Sequence, residues 1–191
     1  NKENKIIRIN LSSGIHETLV CNILDFYGYP VSPGRCITKE EKIMHVYGIM
    51  AITQAVAASF KQQLLDGVHD LDTGGNVFKL ALYTSAATLN AATTSYTTGS
   101  EVSNSGQYVA KGGVLAGQAT ALTATTAYVD FTDRSWTGVT ITARGALLYN
   151  STQARKAVCV LDFGADKTAT SGTFTVQFPA ATSTTAILRI A

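Results

Sequence analysis

The chain has 191 residues, 46% of them hydrophobic and 15% charged, with a formal net charge of +2. That is enough apolar material for one core and too little charge for a disordered chain, which fits one domain or one domain with an appendage. The basic residues are scattered, which predicts no footprint for nucleic acid or an anionic membrane. The longest apolar stretches fall short of the roughly 18–20 residues that span a bilayer. Asn1 to Leu11 lacks the basic, apolar and small-residue pattern of a secretory signal, so the sequence predicts a soluble protein made in a cytoplasm.

Composition shifts near residue 50. Residues 1–49 hold 11 charged side chains, two of the three His, two of the three Cys and two of the three Pro. The remainder is rich in Ala, Thr, Ser and Gly. Two readings of residues 1–49 stand side by side. In one they are read-through upstream of a native start at Met44 or Met50, the only methionines, with Lys39-Glu40-Glu41-Lys42 encodable by purines alone, as in a bacterial ribosome-binding sequence. In the other they are a small N-terminal arm, with a short strand over 6–11 and a helical turn or two over 17–26. Three cysteines without a CxxC pair suggest neither zinc nor redox chemistry. Cys21 and Cys36 could pair in an oxidising compartment, whereas Cys159, in the run AVCVLDF, reads as a small buried hydrophobe.

From Met50 onward the pattern predicts one amphipathic helix over about 53–71. Thr53 serves as its N-cap, and Ala57, Phe60, Leu64, Val68 and Leu71 form one stripe. Gly67 weakens the helix late, and residues 70–75 end it with turn chemistry. The stripe must be buried against its own sheet or a neighbouring subunit, which makes Phe60 and Leu64 candidate interface residues.

Residues 77–84 then read as a strand, and 85–105 as a polar surface excursion whose one aromatic is Tyr96. Further strands are expected over 108–111, 114–123, 127–131, 139–143, 146–149, 157–163, 174–178 and 187–190, with turns at 112–113, 133–135, 150–151, 164–172 and 179–185. Phe174, Val176 and Phe178 alternate with polar residues, the mark of a sheet with one buried face. The predicted fold is mainly β, an antiparallel β-sandwich or small barrel carrying one N-terminal helix.

Side chains able to do chemistry are sparse. Asp66, His69, Asp70 and Asp72 form the densest polar cluster, but a calcium loop wants a closing Glu and a zinc site wants more His or Cys. The cluster reads as helix-end polarity. Asp130, Asp133, Asp162 and Asp166 offer the carboxylates that a glycosidase would need as a pair, yet turn formation is their simpler reading. No serine sits in a G-x-S-x-G elbow, and Gly112, Gly113 and Gly145 lack the strand–loop–helix setting of a phosphate loop. They read as sites of positive φ or close packing. No catalytic residue, metal or cofactor is expected. Tyr96, Tyr108, Tyr149 and Trp136 could stack on a sugar, although Trp136 reads better as a core cap.

The strings MAITQAVAASFKQQLLDGVH, SWTGVTITARGALLYNS and AVCVLDFGADKTATSGTFTVQFP, with Glu101-Val102 and residues 106–113, resemble a family of small virion proteins of tailed bacteriophages. The resemblance covers residues 50–191 and leaves 1–49 outside. It implies a non-enzymatic particle component, assembled in the bacterial cytoplasm and carried on the virion. Its partners would be capsid or tail proteins and copies of itself. The resemblance leaves open head decoration, neck, tail or fibre, and it carries no functional residues. Arg144, within the apolar run ITARGALLY, is a candidate interface residue, either a rim arginine packing its stem on the sheet or half of an intersubunit ion pair. The alternative function is a carbohydrate- or receptor-binding module presenting Tyr96 or Trp136 to a host-surface glycan.

Overall fold

In the computed structural model the chain divides into two units, Asn1–Ile49 and Met50–Ala191. The residues described are 51–190, all in the second unit. The strand over 6–11, the helical turns over 17–26 and the Cys21–Cys36 pair lie outside them.

The fold is mainly β with antiparallel sheets and one short helix among the described residues. In chain order the elements are β1 (Ala55–Val56), α1 (Ala58–Leu65), β2 (Phe78–Tyr83), β3 (Gly113–Val114), β4 (Ala119–Thr123), β5 (Thr126–Asp130), β6 (Arg134–Asn150), β7 (Lys156–Val176) and β8 (Leu188–Ile190). One sheet runs β1-β7-β6-β2-β3 and the other β4-β5-β8. No barrel closes. Val129 and Leu188 of the smaller sheet join the same apolar cluster as the larger one, so the two share a core.

The centre of the large sheet is buried on both faces, where the sequence predicts one. Register assigns the faces, because paired residues share a side. Phe78, Leu80 and Leu82 stand with Asn150, Leu148 and Ala146 on the first face; Ala81 and Tyr83 stand with Leu147 and Gly145 on the second. The first face is covered by Phe60 of α1, by His69 and by Phe131, whose ring lies 5.7 Å from that of Phe78. The second is covered by the 84–112 loop, with Tyr96 stacked 5.0 Å from Tyr149.

Three expectations are corrected. The helix is eight residues long, not nineteen. Ala55 and Val56 pair with Val160 and Cys159 instead of starting it, and Gly67 adopts φ +66 just past the Asp66 C-cap. Leu71 still packs on the core, through the following loop. Residues 134–135 and 164–172, predicted as turns, are strand: 139–143 and 146–149 merge into β6, and 157–163 and 174–176 merge into β7. Bulges absorb the mismatch, the largest opposing residues 163–166 of β7 to Arg144 alone. The exposed threonines of this stretch are β-formers, so their polarity reports exposure rather than a turn. Last, residues 108–111 form no strand, and 114–123 splits into β3 and β4 around Gly117.

The 84–112 loop is not a surface excursion. Ala87, Leu89, Tyr96, Val102 and Tyr108 are all buried. Its main chain bonds to Thr53 and Ala58 beside the helix, to Arg155 and Ala157 at the β6–β7 turn, and to Leu82 on the outer edge of β2. Gly112 passes against the Leu80 carbonyl at φ +65, where a Cβ would collide with main chain, so glycine is required there.

Candidate functional site

Two polar nodes and one exposed apolar row are the features of the described residues that go beyond ordinary packing. The first node is built on Glu101, which the sequence places in a polar loop. One carboxylate oxygen accepts from the Tyr96 hydroxyl at 2.5 Å. The other accepts from the Tyr108 hydroxyl at 2.9 Å and the Lys111 N–H at 2.7 Å. Tyr108 is wholly buried and its oxygen also accepts the Leu82 N–H at 2.9 Å. β3 leaves β2 after Leu80, so this hydroxyl supplies an acceptor that the strand ladder lacks. Tyr83 and Tyr149 donate to the carbonyls of Thr97 and Lys111, each at 2.6 Å. Burial, then the Glu101 charge, pushes the Tyr83 and Tyr149 hydroxyls up, Tyr149 to about 12. Burial is also the first cause of the rise at Tyr96 and Tyr108. These are neutral donors pinning a loop to a sheet.

The second node is His69. The sequence places it in a helix-end polar cluster, but it is buried and bonded to Gln63 and Asn150 at 2.8 and 2.9 Å. Its neighbours divide from it. Asp70 and Asp72 are exposed and organise their own turn, the Asp70 carboxylate accepting the Asp72 N–H. Among the described residues no three His, Cys, Asp or Glu side chains come together as a metal site would need. The shallow cleft between residues 73–77 and 114–118 is lined without an acid, a base or a thiol.

The predicted site residues are dispersed. Phe60 is 2% exposed, its ring 4.8 Å from His69, and Leu64 is half-buried against the core, so both face this chain's own sheet. The exposed large apolar residue of α1 is Leu65, at 90%. Arg144 pairs within the chain with Asp162 at 3.4 Å, and a half-exposed pair of this kind contributes about 0–1 kcal/mol. Cys159 is buried in β7, and burial pushes its thiol up to about 12. The aromatic platform does not reach the surface. Trp136 and Tyr108 pack edge to face at 5.5 Å inside the core, with the Arg134 guanidinium over the indole, and Tyr149 is also buried.

The apolar row is what sequence reading missed. Register aligns Leu122, Ala127 and Ile190 across β4, β5 and β8. They stand on the same face as Val129 and Leu188, which are buried two residues along their strands. The face that covers the core thus continues past it, leaving Leu122 70% and Ile190 62% exposed. The signal was present only in part, as alternation in TAYVD, and strand pairing was needed to bring three separate residues into one row. Comparison of the chain with protein-family models, with curated proteins and with solved structures finds no match.

Proposed function

We propose that residues 50–191 form a non-enzymatic structural component of a tailed-bacteriophage particle, acting through contact with copies of itself and with capsid or tail proteins. In this reading the domain is a capsid decoration or cement subunit, or a head–tail or fibre-associated one. It is assembled in the host cytoplasm and carried on the virion. The observation that carries the reading is the Leu122–Ala127–Ile190 row, an apolar sheet face that runs on beyond its own core. Two large aliphatic side chains left in water on a rigid three-stranded platform are suited to burial against another protein. The resemblance over residues 50–191 supports the same direction. The carbohydrate-binding alternative depends on Tyr96 or Trp136 as a stacking surface, and their burial leaves it without a supporting observation.

The test is light scattering after size exclusion, together with co-sedimentation on assembled capsids and on tails. Self-association or particle binding is expected, and the double variant Leu122→Lys/Ile190→Lys weakens it at least tenfold. Losing the burial of one such side chain costs about 1.5–3 kcal/mol, and tenfold is about 1.4 kcal/mol. Both positions are exposed, so the melting temperature holds. A strictly monomeric protein that sediments with neither particle overturns the proposal.

A further inference from the structure

The side chain of Asn150 can face only one way. Its oxygen accepts the N–H groups of Thr152 and Gln153 in the β6–β7 turn, both at 3.1 Å. Its amide nitrogen therefore donates, to Asn76 Oδ1 at 2.7 Å and to His69 Nδ1 at 2.9 Å. An NH₂ group has no acceptor capacity, so Nδ1 is the bare nitrogen of the ring and Nε2 carries the hydrogen, donating to Gln63 Oε1 at 2.8 Å. Adding a second proton would set an N–H on Nδ1 against the Asn150 N–H. Turning the Asn150 amide over gives no relief, because its NH₂ would then meet two N–H donors and its oxygen would meet the Asn76 oxygen.

We propose that His69 is an acid-sensitive latch, holding α1 and the loop that follows it onto the β6–β7 turn while neutral and releasing them when protonated. The ring can take its second proton only by leaving the site, which breaks the Gln63 bond and the contacts with Phe60 and Phe78. Among the described residues no acid stands by to compensate. α1 faces the ring with Gln63 and Phe60, and its one charged residue, Lys61, is exposed. β2 contributes Phe78, with Lys79 on its opposite face, and β6 contributes Asn150. Lys156, opening β7, is a cation that acts against protonation, and the Asp70 carboxylate is turned to the Asp72 N–H in its own loop. Besides the latch, α1 is held by Phe60 and Leu64 on the core and by the Ala58 N–H on the Ala91 carbonyl. Eight residues are too few for a helix to persist alone, and no side chain caps its N-terminus.

Burial first, and Lys156 second, hold the ring below its ordinary 6.5. A base depressed in the folded state binds its proton better in the opened one. The latch is therefore fully effective above about 6.5 and is lost as pH falls from there through the folded value. Within that window opening rises about tenfold per pH unit.

Hydrogen exchange of the full chain between pH 7.5 and 4.5, corrected for intrinsic rates, reads the latch directly. Protection over 57–70 is expected to fall about tenfold per unit below 6.5 while protection over 145–161 holds, and His69→Gln flattens the dependence. Ring ¹⁵N spectra of the unaltered chain keep the test decisive if that variant does not fold. They should show His69 Nδ1 bare at pH 7.5 and titrating together with the loss of protection. Flat protection over 57–70, equal loss over both segments, or a ring that titrates without loss of protection each overturns the proposal.

Discussion

Replacing Tyr108 by phenylalanine removes one oxygen from the centre of the molecule and separates the Glu101 node from ordinary packing. The ring stays in place against Trp136, so no cavity larger than a hydroxyl is made. Two losses follow. The Leu82 N–H is left buried without an acceptor, which costs about 1–3 kcal/mol, and the bond to the Glu101 carboxylate is lost, a charged-partner bond of about 1.5–3 kcal/mol. Glu101 keeps the Tyr96 and Lys111 donors, so it is not orphaned. Allowing for overlap between the two losses, the expected destabilisation is about 2–4 kcal/mol. Tyr83→Phe is the internal control. Its hydroxyl donates to the Thr97 carbonyl, and Thr97 is exposed, so water can take over the bond and the cost is about 0.5–1.5 kcal/mol.

Urea unfolding of the two variants and the parent measures the difference as a shift in midpoint at unchanged slope. A Tyr108→Phe melting temperature roughly 5–15 °C below the parent corresponds to the same range for a chain of this size. If Tyr108→Phe unfolds within about 0.5 kcal/mol of the parent, or no earlier than Tyr83→Phe, the hydroxyl is not completing the β2 edge and the reasoning fails.

Two further outcomes are expected. Cys159, buried with its thiol pushed up to about 12, should resist alkylation at pH 8 in the native protein and react fully in denaturant, as followed by mass spectrometry of the 156–167 peptide; native labelling would contradict its burial. The hydroxyls of Tyr83, Tyr96, Tyr108 and Tyr149 are all raised by burial in the folded state, so their contribution is fully present below the unfolded value near 10 and is lost as pH rises through the folded values. Tyrosinate absorbance should therefore rise together with alkaline unfolding, and a smooth titration of all eight tyrosines in a folded chain would refute the node.

The fold class was legible because β-branched and aromatic residues recur at strand spacing throughout 77–190. The misreadings share one cause, which is that local polarity was taken as local structure. Residues 164–172 look like a turn, but Ala169, Thr168 and Lys167 pair with Ile141, Thr142 and Ala143, Gly172 pairs with Val139, and Gly164 and Ser171 are spent in bulges. Residues 85–105 look solvated, but Tyr96 and Val102 are buried because β2 runs out of strand partners after Leu80 and the loop supplies them. The stripe from Ala57 to Leu71 is truly apolar, yet helical spacing cannot tell that Gly67 will end the helix and let a loop carry Leu71 onto the core. The Glu101 node lies within residues 96–111, but only the folded loop and its bond to Leu82 turn those side chains together, and the Leu122–Ala127–Ile190 row depends on pairing that reaches from β5 to β8.

The β6–β7 turn ties the two faces of the large sheet together. On the first face Asn150 orients His69 and, through it, Gln63 of α1. On the second the Arg155 carbonyl accepts the Tyr96 N–H, and the Ala157 N–H donates to Thr94, anchoring the loop that carries Glu101. Ala154 and Arg155 both adopt positive φ, so this turn holds a conformation that L residues rarely take and that its hydrogen bonds must maintain. Release of His69 frees one side of the Asn150 amide but leaves its oxygen bonded to Thr152 and Gln153, so the turn itself persists. His69 reaches the smaller sheet through Phe78 to Phe131, just past the C-terminal end of β5, and the loop after it reaches Gln118, just before β4, which donates to the Asp70 and Asp72 carbonyls. The apolar row crosses β5 at Ala127, near its N-terminal end and beside the β4–β5 turn, within a three-stranded ladder that none of these contacts enters. Opening of the helix and contact through the row therefore act on separate parts of the fold, and acid can loosen one while the other stays built.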